Sequence, residues 1–109
     1  NTTTPFETDS GVPTTFSNTS SPNPPAVTTI TADAVVLPIF GKNNDYTSIT
    51  VPSGYTTAGS NSTTSGNDAS AGVVYFKKAT AGSEDPGAWA AAGAATDDGY
   101  VWTGVLKPQ

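Results

Sequence analysis

The sequence predicts an all-β protein, a single antiparallel β-sandwich of jelly-roll or immunoglobulin-like kind with seven or eight short strands. Three observations carry this expectation. Residues 34–40, AVVLPIF, form the longest run of large apolar side chains, short, rich in β-branched residues and closed by Gly41, as a buried strand requires. The 109 residues include 19 Thr and 11 Ser against an apolar fraction of 35%, so many strands must turn a hydroxylated face to water. Finally, 11 Gly and 9 Pro supply turns at short intervals.

Taken in order, residues 1–25 are polar, with Phe6, Val12 and Phe16 as spaced anchors. They read as an extended arm with weak edge strands around residues 4–8 and 12–17. Pro22, Pro24 and Pro25 impose an extended connection. Residues 26–31 alternate as a strand leading into the apolar run, where Pro38 lacks a ladder donor and predicts a local irregularity, at an edge or a bulge. Residues 41–46 read as a loop, 48–51 as a short strand, and Pro52-Ser53-Gly54 as a type II turn. A strand begins at 55–58; residues 59–70, with no large apolar side chain, read as a surface loop. Residues 72–78 (GVVYFKK) form the second strong strand, with Lys77 and Lys78 guarding its end, and 81–87 read as a loop. Residues 88–95 are ambiguous, because Asp85-Pro86 before an Ala-rich run resembles a capped helix start. Gly93 and the lone Trp89 favour a strand instead. Asp97-Asp98-Gly99 reads as a tight turn, and residues 100–106 (YVWTGVL) close the domain.

One module over residues 1–109 follows, with a core over 26–108. The net charge is −5, from four Lys, no Arg and nine acidic residues. Such a surface repels phosphate backbones and anionic headgroups, so neither nucleic acid nor a membrane surface is an expected partner. No segment is long enough to span a bilayer as a helix.

The absence of His and Cys excludes Ser–His–Asp and Cys–His nucleophilic catalysis. Glu84, Asp85, Asp97 and Asp98 fall in predicted turns, where carboxylates serve turn geometry and not a glycosidase groove. The chain is expected not to be an enzyme. Oxygen donors gather in three predicted loops: Asn43, Asn44 and Asp45; Asn67 and Asp68; and Asp97 and Asp98. Asp45, Asp68, Asp97 and Asp98 are thus the candidate calcium ligands, although no twelve-residue calcium loop is present. Ordinary Asx turns are the favoured account of them. Ligand contacts are expected at Tyr46, Tyr55, Asn43 and Asn44, near loops. Tyr100 and Trp102 share a face of their strand, but Trp102, Tyr75, Phe76 and Trp89 are expected in the core, since so few large residues are available to fill it. Sequons at Asn1, Asn18 and Asn61 arise readily by chance in a chain of this composition.

Residues 24–41 (PPAVTTITADAVVLPIFG), 49–60 (ITVPSGYTTAGS), 71–89 (AGVVYFKKATAGSEDPGAW) and 100–108 (YVWTGVLKP) resemble a Thr/Ser-rich β-sandwich module, often in tandem, of tailed-phage virion proteins and of bacterial surface or secreted proteins. The resemblance spans most of the chain and departs from it at Pro38 and after Trp89. Its motifs are structural. The opening NTTTPF resembles the segment that follows a preceding module, which implies the C-terminal member of a longer chain. The implied function is non-enzymatic: a capsid decoration protein or tail-fibre domain on the virion surface. Its partners would be other virion proteins or copies of itself, as a trimer, or a host-surface glycan. The alternative is a carbohydrate-binding module of a secreted or cell-surface bacterial protein, without a cofactor unless calcium occupies the loops.

Overall fold

The computed structural model describes residues 3–7, 10–64, 68–92 and 97–109. Among them it holds no helix and nine strands: β1 Thr14–Thr19, β2 Val27–Thr29, β3 Ala34–Lys42, β4 Ser48–Thr50, β5 Thr56–Thr63, β6 Ala69–Lys78, β7 Gly82–Glu84, β8 Ala90–Ala92 and β9 Asp97–Leu106. The fold is all-β and antiparallel. The strands form a five-stranded sheet in the order β1-β9-β3-β6-β5 and two ribbons, β2-β7 and β4-β8; Val27 of β2 and Ile49 of β4 pack on the buried face of the large sheet, an arrangement consistent with a small β-sandwich.

The apolar run is the central strand. Along β3 burial alternates strictly, with Ala34, Val36, Pro38, Phe40 and Lys42 buried and the intervening residues half-buried. Val101, Thr103 and Val105 of β9, and Ser70, Gly72 and Val74 of β6, point the same way. Above them lie two apolar clusters. Val27, Ala34, Val36 and Val105 form one; Phe40, Val74, Trp89 and Val101 form the other, with Phe16, Tyr46, Ile49 and Val51 against it. Gly72 has no side chain because an added Cβ would stand 2.5 Å from the Phe40 ring and 2.9 Å from that of Trp89.

Pro38 is neither on an edge nor at a bulge. The ladder to β9 runs unbroken from Val35↔Leu106 to Lys42↔Gly99 and includes Pro38↔Thr103. The ladder to β6 passes from Val36↔Phe76 to Ile39↔Val73 with its register unchanged. The irregularity is therefore a gap in one ladder, on the side where the imide nitrogen has nothing to donate.

Four expected loops or turns proved to be strand. β3 continues through Lys42; β5 and β6 extend across most of 59–70; β7 lies in 81–87; and β9 starts at Asp97. Thr, Ser and Asn hold β5 on the β6 ladder while exposed at almost every position, since backbone pairing does not require burial. Gly99 marks a close approach instead of a turn: a Cβ there would clash with the Gly41 carbonyl oxygen and lie 2.5 Å from the Phe16 ring. The turn at Pro52-Ser53-Gly54 is as expected, with Gly54 at φ 85° and Tyr55 N–H donating to the Pro52 carbonyl at 3.3 Å. Residues 90–92 are strand; the remainder of the ambiguous Ala-rich run, 93–95, lies outside the described residues, as do Asn1 and Asn67.

The N-terminal arm completes the β9 edge. Lys107 N–H donates to the Pro5 carbonyl at 2.8 Å, Glu7 N–H to Val105 at 2.8 Å and Gly11 N–H to Thr103 at 2.9 Å. Of the strand expected at 4–8, the described residues 4–7 form one bridge, Phe6↔Leu106. What fixes the arm is Glu7, only 3% exposed. Its carboxylate accepts the backbone N–H groups of Ile30 at 2.7 Å and Thr31 at 3.0 Å, and the Thr31 hydroxyl. The proline-rich connection lies beside β8, with Trp89 N–H on the Pro22 carbonyl and Ala91 N–H on that of Ser20.

Candidate functional site

The face of the five-stranded sheet turned away from the ribbons carries Val35, Leu37 and Ile39 from β3, Val73 and Tyr75 from β6, and Tyr100, Trp102 and Leu106 from β9. All are half-buried or exposed, Tyr75 at 42% and Tyr100 at 64%. Strand parity puts them there: residues two apart share a face, and the buried partners of each strand occupy the alternate positions. The register aligns them in rows, Ile39 between Trp102 and Val73, and Gly41 between Tyr100 and Ala71. Trp102 is tied down, its ring tilted on Phe6 at 5.6 Å and its indole N–H donating to the Gly11 carbonyl. Tyr100 stands clear.

Beyond Tyr100 the β3–β9 register continues, with Asn43 N–H donating to the Asp98 carbonyl at 3.1 Å. Asn43 and Asp98 therefore lie side by side on the same outer face, each two residues along its strand from Gly41 and Tyr100. Asp98 is steadied by Asn18 N–H, 3.2 Å from its Oδ1. Gly41 leaves open space where a side chain would stand, and Ala69, two residues before its β6 partner Ala71, lines the far side. The result is a shallow trough of about 350 Å³ lined by Gly41, Lys42, Asn43, Ala69, Asp98, Gly99 and Tyr100.

The other expected site residues are placed elsewhere. Tyr46 is half-buried against the Phe40–Trp89 cluster, with its N–H on the Ser62 hydroxyl at 3.0 Å. Tyr55 packs between both clusters and tilts on Phe76 at 5.6 Å. Asn44 turns to Asp97, its Nδ2 3.5 Å from Oδ2, and its Oδ1 accepts Asp45 N–H at 2.8 Å. Among the described residues no three acidic side chains gather to hold a metal. The charge near Asp97 and Asp45 is Lys42, 4% exposed; burial lowers its pKa from 10.5 against the upward pull of Asp97 and then Asp45. Asp68 contributes a buried Oδ1 for which the described residues offer no hydrogen bond. Of the residues expected in the core, Trp89 is fully buried and Phe76 half-buried, while Tyr75 and Trp102 face outward. Parity pairs Tyr100 with Trp102 in the sequence, but which face of β9 is covered depends on the ribbons, which the sequence does not place.

Tyr55 also gives a pH signature. Its hydroxyl donates to Glu84 Oε1 at 2.9 Å, and Glu84 also receives Lys78 Nζ at 3.0 Å. Burial, and then that hydrogen bond and the charge of Glu84, hold the phenol well above its ordinary 10.0. Folding thus favours the neutral phenol, so its stabilisation is complete below about pH 10 and is lost as pH rises further. Lys42, with a lowered pKa, acts in the opposite sense in both proteins of a comparison. Tyr55→Phe is expected to flatten the alkaline fall in melting temperature, followed by circular dichroism from about pH 8 to about pH 11. Parallel curves for wild type and variant would disprove the linkage.

No family model, curated protein or solved structure matches the chain.

Proposed function

We propose that this chain is a non-enzymatic structural and adhesion module of a virion surface, of the capsid-decoration or tail-fibre kind, acting through its outer sheet face. The observation that carries this reading is that face: a row of apolar and aromatic side chains on a rigid sheet, half-buried at most, on a protein whose net charge of −5 otherwise favours solvent. Contiguous apolar surface of this kind is where small proteins meet partners. The resemblance of residues 24–108 to phage and surface modules agrees with it, and the chain has no His or Cys for nucleophilic chemistry. Other virion proteins, or further copies of the chain in a symmetric assembly, are the partners expected on it.

The test combines light scattering on the purified protein with mass spectrometry of the particles and the secreted fraction of its source. A trimer, or a stoichiometric particle component, supports the reading. A monomer absent from every particle overturns it.

A further inference from the structure

The geometry points to a pyranose-binding site in the trough between β3 and β9, with Tyr100 as the stacking platform and Asn43 and Asp98 as the hydrogen-bonding pair. This deepens the adhesion reading above by assigning it a ligand class, a neutral hexopyranoside. The four outer-face positions Gly41, Asn43, Asp98 and Tyr100 form a quadrilateral, adjacent strands about 4.8 Å apart and residues two apart along a strand about 7 Å apart. That patch is roughly the footprint of one sugar ring. Tyr100 is 64% exposed yet springs from a strand paired on both sides, so its root is fixed while its ring faces solvent. Such a ring offers an apolar, electron-rich face to the C–H groups of a sugar at small entropic cost. Gly41 and Ala69 keep the floor beside it low, so a ring can lie there without meeting a side chain.

The polar edge fits the same ligand. A carboxylate accepts from sugar hydroxyls, and a carboxamide both donates and accepts. Asn18 N–H holds Asp98 by one oxygen, and the Asn43–Asp98 backbone bond keeps the two side chains at one end of the trough. The Asp98 carboxylate, in a protein of charge −5, disfavours phosphorylated or acidic sugars, and Lys42, the one cation of the lining, is only 4% exposed. At about 350 Å³ the trough lies in the usual range of small-ligand clefts, on the order of 300–1,000 Å³. One stacked ring with two polar partners gives an affinity on the order of millimolar.

The test is NMR on the whole protein with methyl β-galactopyranoside, methyl α-glucopyranoside and the methyl glycoside of N-acetylglucosamine as probes. At least one is expected to receive saturation transfer and to shift the amides of Asn43, Asp98 and Tyr100. Tyr100→Ala, with an unchanged melting temperature, is expected to weaken it about tenfold or more, whereas Tyr75→Ala, two rows away, leaves affinity unchanged. Shift mapping on wild type settles the location even should the variant fold poorly. Transfer to none of the three, or shifts that avoid these residues, overturns the site, and particle composition decides the virion reading separately.

Discussion

Replacing Glu7 with alanine is expected to cost about 3 kcal/mol, since hydrogen bonds to a charged acceptor contribute about 1.5–3 kcal/mol each and buried donors are left without partners. The melting temperature should fall on the order of 10–20 °C, at about 4–8 °C per kcal/mol for a domain somewhat smaller than this one. The effect is large because a single carboxylate satisfies the backbone at Ile30 and Thr31 as they turn from β2 into β3, and at the same time pins the arm that closes the β9 edge. Glu7→Gln keeps the length and one acceptor, so about half the loss should remain. Calorimetric melts of the three proteins check this; a Glu7→Ala variant melting with wild type would mean that the Glu7 carboxylate contributes nothing to the folded state.

Trp89→Ala should be more damaging still. Truncating a fully buried Trp costs about 3–5 kcal/mol, a large part of the about 5–15 kcal/mol that holds such a domain together. The indole is 0% exposed and meets Phe40 edge-on at a centroid distance of 4.9 Å, with Gly72 bare beneath both rings. Trp89→Phe retains the aromatic contact and removes an indole N–H to which the described residues give no acceptor, so it should lose much less. Urea titrations would rank them wild type, Phe, Ala; equal midpoints for the last two would remove Trp89 as the keystone of its cluster.

These two residues also mark what can be read from a sequence of this kind. Strands with strong apolar content, β3, β6 and β9, were legible because each concentrates large β-branched and aromatic side chains in a short run bounded by turn residues or charges. The start of β5 was read as strand, but its continuation past residue 59 and β7 were not, because Thr, Ser, Asn and Gly pair in a ladder without being buried, and the same composition signals a loop. Asp97-Asp98-Gly99 imitated a turn because a glycine required by the close approach of the Gly41 carbonyl and the Phe16 ring is spelled like one required by backbone dihedrals. Nothing in the polar arm announced Glu7, whose role depends on a turn more than twenty residues away. Of the binding trough, Asn43 was visible as a loop donor and Asp98 as a possible ligand. Their meeting beside Tyr100 needed the β3–β9 register, and the exposure of Tyr100 needed the side on which the ribbons pack.

The hydrogen bond from Lys107 to Pro5 has a mechanical meaning. The arm and the end of β9 run antiparallel, so Pro5 and Lys107 stand side by side. A load drawn between them falls on the Lys107–Pro5 bond first, then on Glu7–Val105, then on Gly11–Thr103, and each must fail before the next is strained. Sequential opening of this kind needs little force, whereas ends at opposite poles would place the whole ladder in shear. Held by its termini, the module yields like a zipper, peeling away its arm before its core is disturbed.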